Sequence, residues 1–222
     1  MKKLTRQLCN ACRQNKIFPV LFLASFVTRL YYVMFSTFWV LYLTSYVGTV
    51  FKDDKEVTQC YANLMLCSIV VAIAFSPLIG FFTDRVSPRF TLPFAFLLRA
   101  LGIVLFMWIE NPTHIFAYCV GTILVLGTTC EQICSDSILM RNADREIRGL
   151  IYGTAGACGY LGQLILCIAG GWLFDHVSPQ APFIYVGAMD FLFAMIVIIL
   201  SLCGVIKNDI KIRKALEAEI SD

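Results

Sequence analysis

The sequence predicts an all-α membrane protein with six transmembrane helices, because of its composition and its six long apolar runs. Hydrophobic residues make up 59% of its 222 positions and charged residues 15%, whereas soluble domains are about 45–50% apolar and about 25% charged. The mean hydropathy of +0.75 indicates more apolar surface than a soluble chain of this length would bury. Each run is long enough to cross the bilayer, which takes roughly 20 residues.

Pro, Gly and charged residues divide the chain into these runs. A basic segment, residues 1–16, precedes the membrane domain of residues 17–206, and a solvated tail, residues 207–222, follows it. The runs are too long and too uniformly apolar for a barrel of roughly 10-residue alternating strands. The predicted helices, with the break that follows each, are 17–50 (charged cluster 51–56), 62–83 (turn 84–89), 91–109 (turn 110–112), 114–139 (charged stretch 141–148), 149–174 (polar stretch 175–182) and 183–206.

The distribution of Lys and Arg predicts the orientation, because cytoplasmic loops carry the excess of basic residues. If six spans place both termini on one side, that side holds fourteen Lys and Arg residues and the other side only Lys52 and Lys55. Both termini are therefore expected to be cytosolic. The net charge of +3 follows from this bias and does not indicate nucleic-acid binding.

An internal repeat divides the six spans into two groups of three. Residues 80–88 and 171–179 share Gly, Asp, Val, Ser and Pro in register, 91 residues apart. The two segments end the second and the fifth span. An offset of three helices places them on opposite sides of the membrane, as in two inverted three-helix repeats.

The first of these segments resembles the loop signature of the major facilitator superfamily of secondary transporters. The family pattern G-x-[LF]-[AST]-D-R-x-[GS]-x-[RK] is matched by GFFTDRVSPR at residues 80–89, with Ser87 where Gly is usual and Pro88 where a basic residue is common. Residues 142–153 and 170–183 are similar to the later helices of the family's C-terminal half.

The resemblance implies half of the family fold, since members have two six-helix halves with substrate bound between them. It implies gradient-driven transport of a small solute by alternating access, in a lipid bilayer and together with a second six-helix half or a homodimer mate. Gly80, Asp84, Arg85 and Arg89 would form a gating loop, in which Asp84 meets a helix N-terminus of the other half, whose dipole favours negative charge. The alternative is a tight turn and an orientation signal.

Charged residues inside the spans are the strongest candidates for a functional site, because each costs at least about 2.5–3.5 kcal/mol at the helix centre unless it is paired or hydrated. On the fourth span, polar residues form two adjoining helical faces, so this span is expected to line a cavity or a packed polar interface. The charged residues within the spans are Arg29, Arg99, Glu131, Asp136 and Asp190.

By the resemblance, the first and fourth helices line the central pathway, and these two helices carry Arg29 and Glu131. We expect the substrate pathway to include Arg29, Tyr32, Thr128, Glu131 and Ser135, with Glu131 binding substrate or exchanging a proton. The alternative is a structural salt bridge between Arg29 and Glu131.

Arg99 and Asp190 lie on the third helix of each repeat, and we expect structural roles for both. The charged end of Arg99 either reaches the cytosolic surface or pairs with Asp136. No partner is predicted for Asp190.

The fifth span is rich in glycine. Gly149, Gly153 and Gly156 fall within an arc of roughly 60°, and small residues let transmembrane helices approach closely. We expect this arc to serve helix packing, within this chain or against another half.

The sequence favours a transporter over an enzyme, and it predicts no cofactor and no metal site. Cys9 and Cys12 lack a second ligand pair, His114 and His176 lie in separate outer loops, and no phosphate-binding loop occurs. The alternatives are a transport-inactive fragment or structural membrane subunit, and a six-span channel, which the lack of a filter-like loop disfavours. A mitochondrial-type carrier is disfavoured because its threefold Pro-x-Asp/Glu repeats are missing.

Overall fold

The computed structural model describes residues 8–13, 15–109, 111–143 and 145–204. In this part of the chain, six helices are long and apolar enough to cross a membrane, which confirms the predicted number. The predicted tail 207–222, and residues 1–7 and 14 of the predicted basic segment, lie outside the described residues. The helices are α1 (Ile17–Thr44), α2 (Asp54–Arg85), α3 (Pro88–Phe106), α4 (Ile115–Asn142), α5 (Arg148–His176) and α6 (Ala181–Leu202).

Several helix ends differ from the ends of the apolar runs, because a helix can continue through polar residues or stop within an apolar segment. α2 begins eight residues before its predicted run, at Asp54, where the Asp53 carboxylate accepts from the backbone N–H groups of Lys55 and Glu56 at 3.1 and 3.0 Å. Such a cap pairs otherwise unsatisfied N–H groups. α1 ends at Thr44, six residues before the end of its predicted run, and contains a π-helical stretch, Met34–Phe38.

The helices alternate in direction, so the start of α1 and the end of α6 lie at the same end of the bundle. At this end the Asn15 side-chain amide donates to the Asn142 carbonyl oxygen at 3.0 Å. At the opposite end the Tyr46 hydroxyl donates to the Ile109 carbonyl at 3.3 Å. Burial, together with the hydrogen bond to Tyr42, raises the pKa of the Tyr46 phenol above its ordinary value.

Glycines on the inner face of α5 allow it to pack closely against α1. A Cβ atom at Gly162 would lie 2.5 Å from the Phe26 carbonyl oxygen, and one at Gly159 would lie 2.6 Å from Arg29 Cγ. α2 packs against α4 in a similar way, with a Cβ at Gly121 only 2.6 Å from Leu64 Cδ2. α3 completes the bundle between α4 and α6.

A layer of polar side chains separates two apolar clusters in the core. The cluster near the termini includes Leu21 and Phe96, and the cluster at the opposite end includes Trp39 and Phe106. On α1, α3, α4 and α6 the boundary between the clusters falls at a polar or charged residue. The buried residues of this layer are Thr28, Arg99, Thr128, Glu131 and Asp190.

The centre of this layer is an ion pair between Arg99 on α3 and Asp190 on α6. Arg99 Nε donates to Asp190 Oδ2 at 2.8 Å and Arg99 Nη2 to Oδ1 at 2.5 Å, and both side chains are fully buried. The predicted alternative of a pair between Arg99 and Asp136 is therefore wrong. The side chain of Asp136 is exposed and accepts instead from the Tyr152 hydroxyl on α5, whereas α3 packs directly against α6.

The Asp190→Asn substitution should destabilise the protein strongly, because it leaves the Arg99 charge buried without its counterion. We expect the free energy of unfolding to fall by about 3–5 kcal/mol, measured by thermal or denaturant unfolding in detergent. Replacing both residues by apolar ones, Arg99→Met with Asp190→Leu, should recover most of this loss.

The matched control is the exposed ion pair between Arg141 and Asp84, for which Arg141→Gln should change stability by only about 0–1 kcal/mol. An equal loss in Asp190→Asn and Arg141→Gln would contradict the central structural role of Arg99 and Asp190.

The close approach of α5 to α1 predicts different outcomes for two glycines of α5. Gly162→Ala places a Cβ against the Phe26 backbone and should cost about 1–3 kcal/mol, as overpacking does. Gly153→Ala meets no atom within 4 Å and should be neutral or slightly stabilising, because Ala favours a helix by about 1 kcal/mol over Gly. The same unfolding measurement compares them, and equal losses would argue against the packing described here.

Candidate functional site

A polar cavity of about 410 Å³ opens between α1, α4 and α5. Its volume lies within the range of about 300–1,000 Å³ that is typical of small-molecule sites. α1 and α4 each contribute five lining residues and α5 contributes four. The lining consists of Leu21, Ser25, Thr28, Arg29, Tyr32, Glu131, Gln132, Ser135, Asp136, Leu139, Tyr152, Ala155, Gly156 and Tyr160.

The Arg29 guanidinium lies between two tyrosine rings of the cavity wall. Its central carbon is 5.3 Å from the Tyr32 ring centroid and 5.2 Å from the Tyr160 ring centroid, within the distance at which a cation is attracted to an aromatic face. The absence of a side chain at Gly159 leaves room for the Arg29 methylene stem. Within the described residues, Arg29 forms no ion pair, so the predicted alternative of a salt bridge to Glu131 is not formed.

Two carboxyl groups lie on the α4 side of the cavity. Glu131 is only 3% exposed; its Oε1 accepts from the Ser135 hydroxyl at 2.7 Å, and its Oε2 has no hydrogen-bond partner among the described residues. Asp136 lies a little over one turn further along α4, nearer the end of the bundle at which α1 begins. It is exposed and accepts from the Tyr152 hydroxyl. The cavity therefore presents a cation on its α1 side and carboxyl groups on its α4 side.

Four of the five predicted pathway residues line this cavity: Arg29, Tyr32, Glu131 and Ser135. The fifth, Thr128, does not. It is buried, and its hydroxyl donates to the Leu124 carbonyl at 2.9 Å.

The predicted gating loop is mostly helical: Gly80, Asp84 and Arg85 lie in the last turns of α2, and only residues 86–87 connect α2 to α3. Arg141 Nη2, near the end of α4, donates to Asp84 Oδ1 and forms an ion pair with it. The Arg85 guanidinium carbon lies 3.9 Å from the Phe81 ring centroid. Arg89 lies in the first turn of α3, and Gly80 has open space where a Cβ would lie.

The predicted glycine arc on α5 makes no close packing contact within the described chain. A Cβ at Gly149, Gly153 or Gly156 would meet no atom within 4 Å. Gly156 also lines the cavity. Within the described residues, the glycines of α5 that pack against other side chains or backbone are Gly159, Gly162 and Gly170, of which Gly162 lies nearly opposite the arc.

The fold and the cavity together indicate the class of membrane protein to which this chain belongs. Six apolar helices enclose charged side chains that open into a cavity, and the chain is a multi-pass integral membrane protein. The sequence profile of the Major Facilitator Superfamily matches residues 18–214, and the chain belongs to that family.

Individual relatives are more distant. The chain is 26% identical over 186 residues to the magnetosome protein MamZ of Paramagnetospirillum magneticum, a match that covers 82% of this chain and 28% of the relative. It is 25% identical over 141 residues to the class E tetracycline resistance protein of Escherichia coli, covering 63% of this chain and 34% of the relative. A match to the magnetosome protein MamH of P. magneticum, 29% identical over 90 residues, covers 40% of this chain and 21% of the relative. The chain thus spans about a fifth to a third of the length of these relatives.

Sequence reasoning missed the contribution of α5 to the cavity. Tyr152 and Tyr160 are eight residues apart, about two turns, and therefore lie on nearly the same face of a helix. That face also includes Gly156. The spacing of the two tyrosines was visible in the sequence, although the density of glycines on α5 pointed to packing alone.

Proposed function

We propose that this chain forms half of a secondary active transporter that moves a small solute across a lipid bilayer by alternating access. The observation that carries the proposal is the Arg29 guanidinium, which faces a cavity inside an apolar helix bundle without an ion-pair partner among the described residues. Charged groups within membrane spans mark substrate and ion pathways by default. Membership of the family supports transport, and Arg29, Tyr32, Glu131 and Ser135 are the proposed pathway residues.

A second six-helix unit, from another chain or from a second copy of this one, would close the open side of the cavity. Gly149 and Gly153 on α5 are exposed and have open space beside them, which favours close approach of another helix. The length of the relatives, about three to five times that of the matched region, also supports a larger assembly.

The six helices are proposed to form two inverted three-helix repeats related by a pseudo-twofold axis. The sequence repeat has an offset of 91 residues, and Arg99 and Asp190, which contact each other, are also 91 residues apart. Two equivalent residues can touch only close to the axis that relates them. The pairing of α1 with α5 and of α2 with α4 agrees with such an axis, which exchanges one pair for the other.

The ion pair of Asp84 and Arg141 is proposed to stabilise one state of the transporter, at the cytosolic side. It joins the end of α2 to the end of α4, and α4 carries the carboxyl groups of the cavity. The excess of Lys and Arg at this end of the bundle supports the cytosolic assignment.

Alternating access predicts that Gly156→Cys reacts with a membrane-impermeant maleimide from both faces of the membrane. Gly156 lines the cavity and has room for a side chain. The test uses a variant whose ten native cysteines are replaced, in membrane vesicles of both orientations, with folding checked by gel filtration. Leu192→Cys is the control, because Leu192 is an exposed apolar residue of α6 outside the cavity lining and should react from neither face.

Reaction of Gly156→Cys from neither face would overturn the proposal and favour a structural membrane subunit. Reaction from one face alone would exclude alternating access.

If the ion pair stabilises a state closed to the cytosol, Asp84→Asn should raise the cytosolic labelling of Gly156→Cys relative to labelling from the other face. An exposed pair contributes up to about 1 kcal/mol, so the ratio should change by up to about fivefold. The double charge reversal, Asp84→Arg with Arg141→Asp, should restore the original ratio. An unchanged ratio in Asp84→Asn would leave the pair with an orientation role alone.

A further inference from the structure

The cavity carries opposite charges at two levels along α5. Tyr160 contacts the Arg29 guanidinium and Tyr152 donates to the Asp136 carboxylate. The two tyrosines are eight residues apart, about 12 Å at about 1.5 Å per residue. Arg29 and Asp136 therefore contact residues of α5 that lie about two turns apart along one cavity wall.

Neither charge has a counterion among the described residues. The ion pairs observed in and near the described spans join Arg99 to Asp190 and Arg141 to Asp84, and neither involves Arg29 or Asp136. The contacts of Arg29 are aromatic, and that of Asp136 is the Tyr152 hydroxyl. These contacts hold the two side chains in place without neutralising them.

The third charged group of the lining, Glu131, lies deeper than Asp136. It is almost fully buried, and Ser135 donates to one of its oxygens. Asp136 is therefore the carboxylate that a solute entering the cavity reaches directly.

We propose that the solute is zwitterionic, with an anionic group that binds Arg29 and a cationic group that binds beside Asp136. A guanidinium can donate two parallel hydrogen bonds to a carboxylate, and its place between two tyrosine rings fixes the direction of those donors. Ionic contacts of about 3 Å at each end leave several ångströms between the two charges of the solute. This favours a molecule whose charges are separated by a short carbon chain over a compact α-amino acid. The inference rests on the proposed transport function and concerns the same cavity.

Gly159 on α5 leaves the space that the Arg29 side chain occupies. Its missing side chain admits the Arg29 stem, with a Cβ position 2.6 Å from Arg29 Cγ. Any larger residue would move the guanidinium away from Tyr160. Gly159 is thus a positioning residue for the anion end of the site.

The experiment measures how solutes protect Gly156→Cys from the maleimide, since Gly156 lies four residues from each tyrosine and between the two charged ends. The probes are 4-aminobutyrate, 6-aminohexanoate, glycine, butyrate and butylamine, added at equal concentration to vesicles that contain the full chain. We expect 4-aminobutyrate or 6-aminohexanoate to slow labelling about tenfold more than butyrate or butylamine does, which corresponds to about 1.4 kcal/mol. Glycine should protect less than the longer zwitterions.

Two substitutions separate the ends of the site. Arg29→Gln should abolish protection by every probe that carries a carboxylate, including the zwitterions. Arg29→Lys should retain part of the protection, because Lys keeps the positive charge and loses the planar guanidinium. Asp136→Asn should reduce 4-aminobutyrate to the level of butyrate and leave butyrate unchanged. Gly153→Cys, on the same helix and outside the cavity lining, is the control that no probe should protect.

Zwitterions that protect Gly156→Cys no better than butyrate or butylamine would overturn the inference, as would protection that survives Arg29→Gln. Labelling of Gly156→Cys without any probe tests the transport proposal, so the two failures are distinguishable. If the cysteine reacts from both faces and no zwitterion protects it, only the solute class is wrong.

Discussion

The fully buried ion pair of Arg99 and Asp190 is the constraint on which the rest of the structure depends. Two full charges lie midway along their helices, between two apolar clusters, and each alone would cost at least about 2.5–3.5 kcal/mol there. Only direct contact between α3 and α6 compensates both. With this contact fixed, α4 packs on α3, and α1 with α5 and α2 with α4 form the remaining close pairs.

The same layer contains two arginines in opposite situations, and the contrast locates the site. Arg99 is buried and makes two hydrogen bonds to its counterion, whereas the Arg29 guanidinium opens into the cavity beside the rings of Tyr32 and Tyr160. A paired charge contributes to the fold. A charge left unpaired within a membrane bundle must be hydrated by water in a cavity or paired with a charge from a solute or another subunit.

The sequence was sufficient for the number and order of the helices, because hydropathy reports directly which segments can cross a bilayer. It was sufficient also for the positions of the charges, since every charged residue singled out in the spans lies in a helix. The sequence did not predict the ion-pair partners of the buried charges. Arg99 was expected to pair with Asp136 or to reach the membrane surface, because residues that are close in space can be far apart in sequence. The 91-residue offset of the sequence repeat was a signal for this pair that was not used, since Arg99 and Asp190 are separated by the same offset. Hydropathy also did not predict the helix ends, since α2 begins just after the cap residue Asp53, among charged residues eight positions before its apolar run.

α5 connects the fixed and the open parts of the molecule, and its two glycine faces explain how. On one face, Gly159 and Gly162 bring the backbone of α1 into contact and make room for Arg29. On the other, Gly149, Gly153 and Gly156 keep the surface beside the cavity free of side chains. In the proposed transporter, α5 would move together with α1, against which it packs closely, while the second six-helix unit would contact its open glycines. A movement of α5 against that unit would also move Tyr152 and Tyr160, which contact Asp136 and Arg29. The packing of α5 and the shape of the cavity would therefore change together.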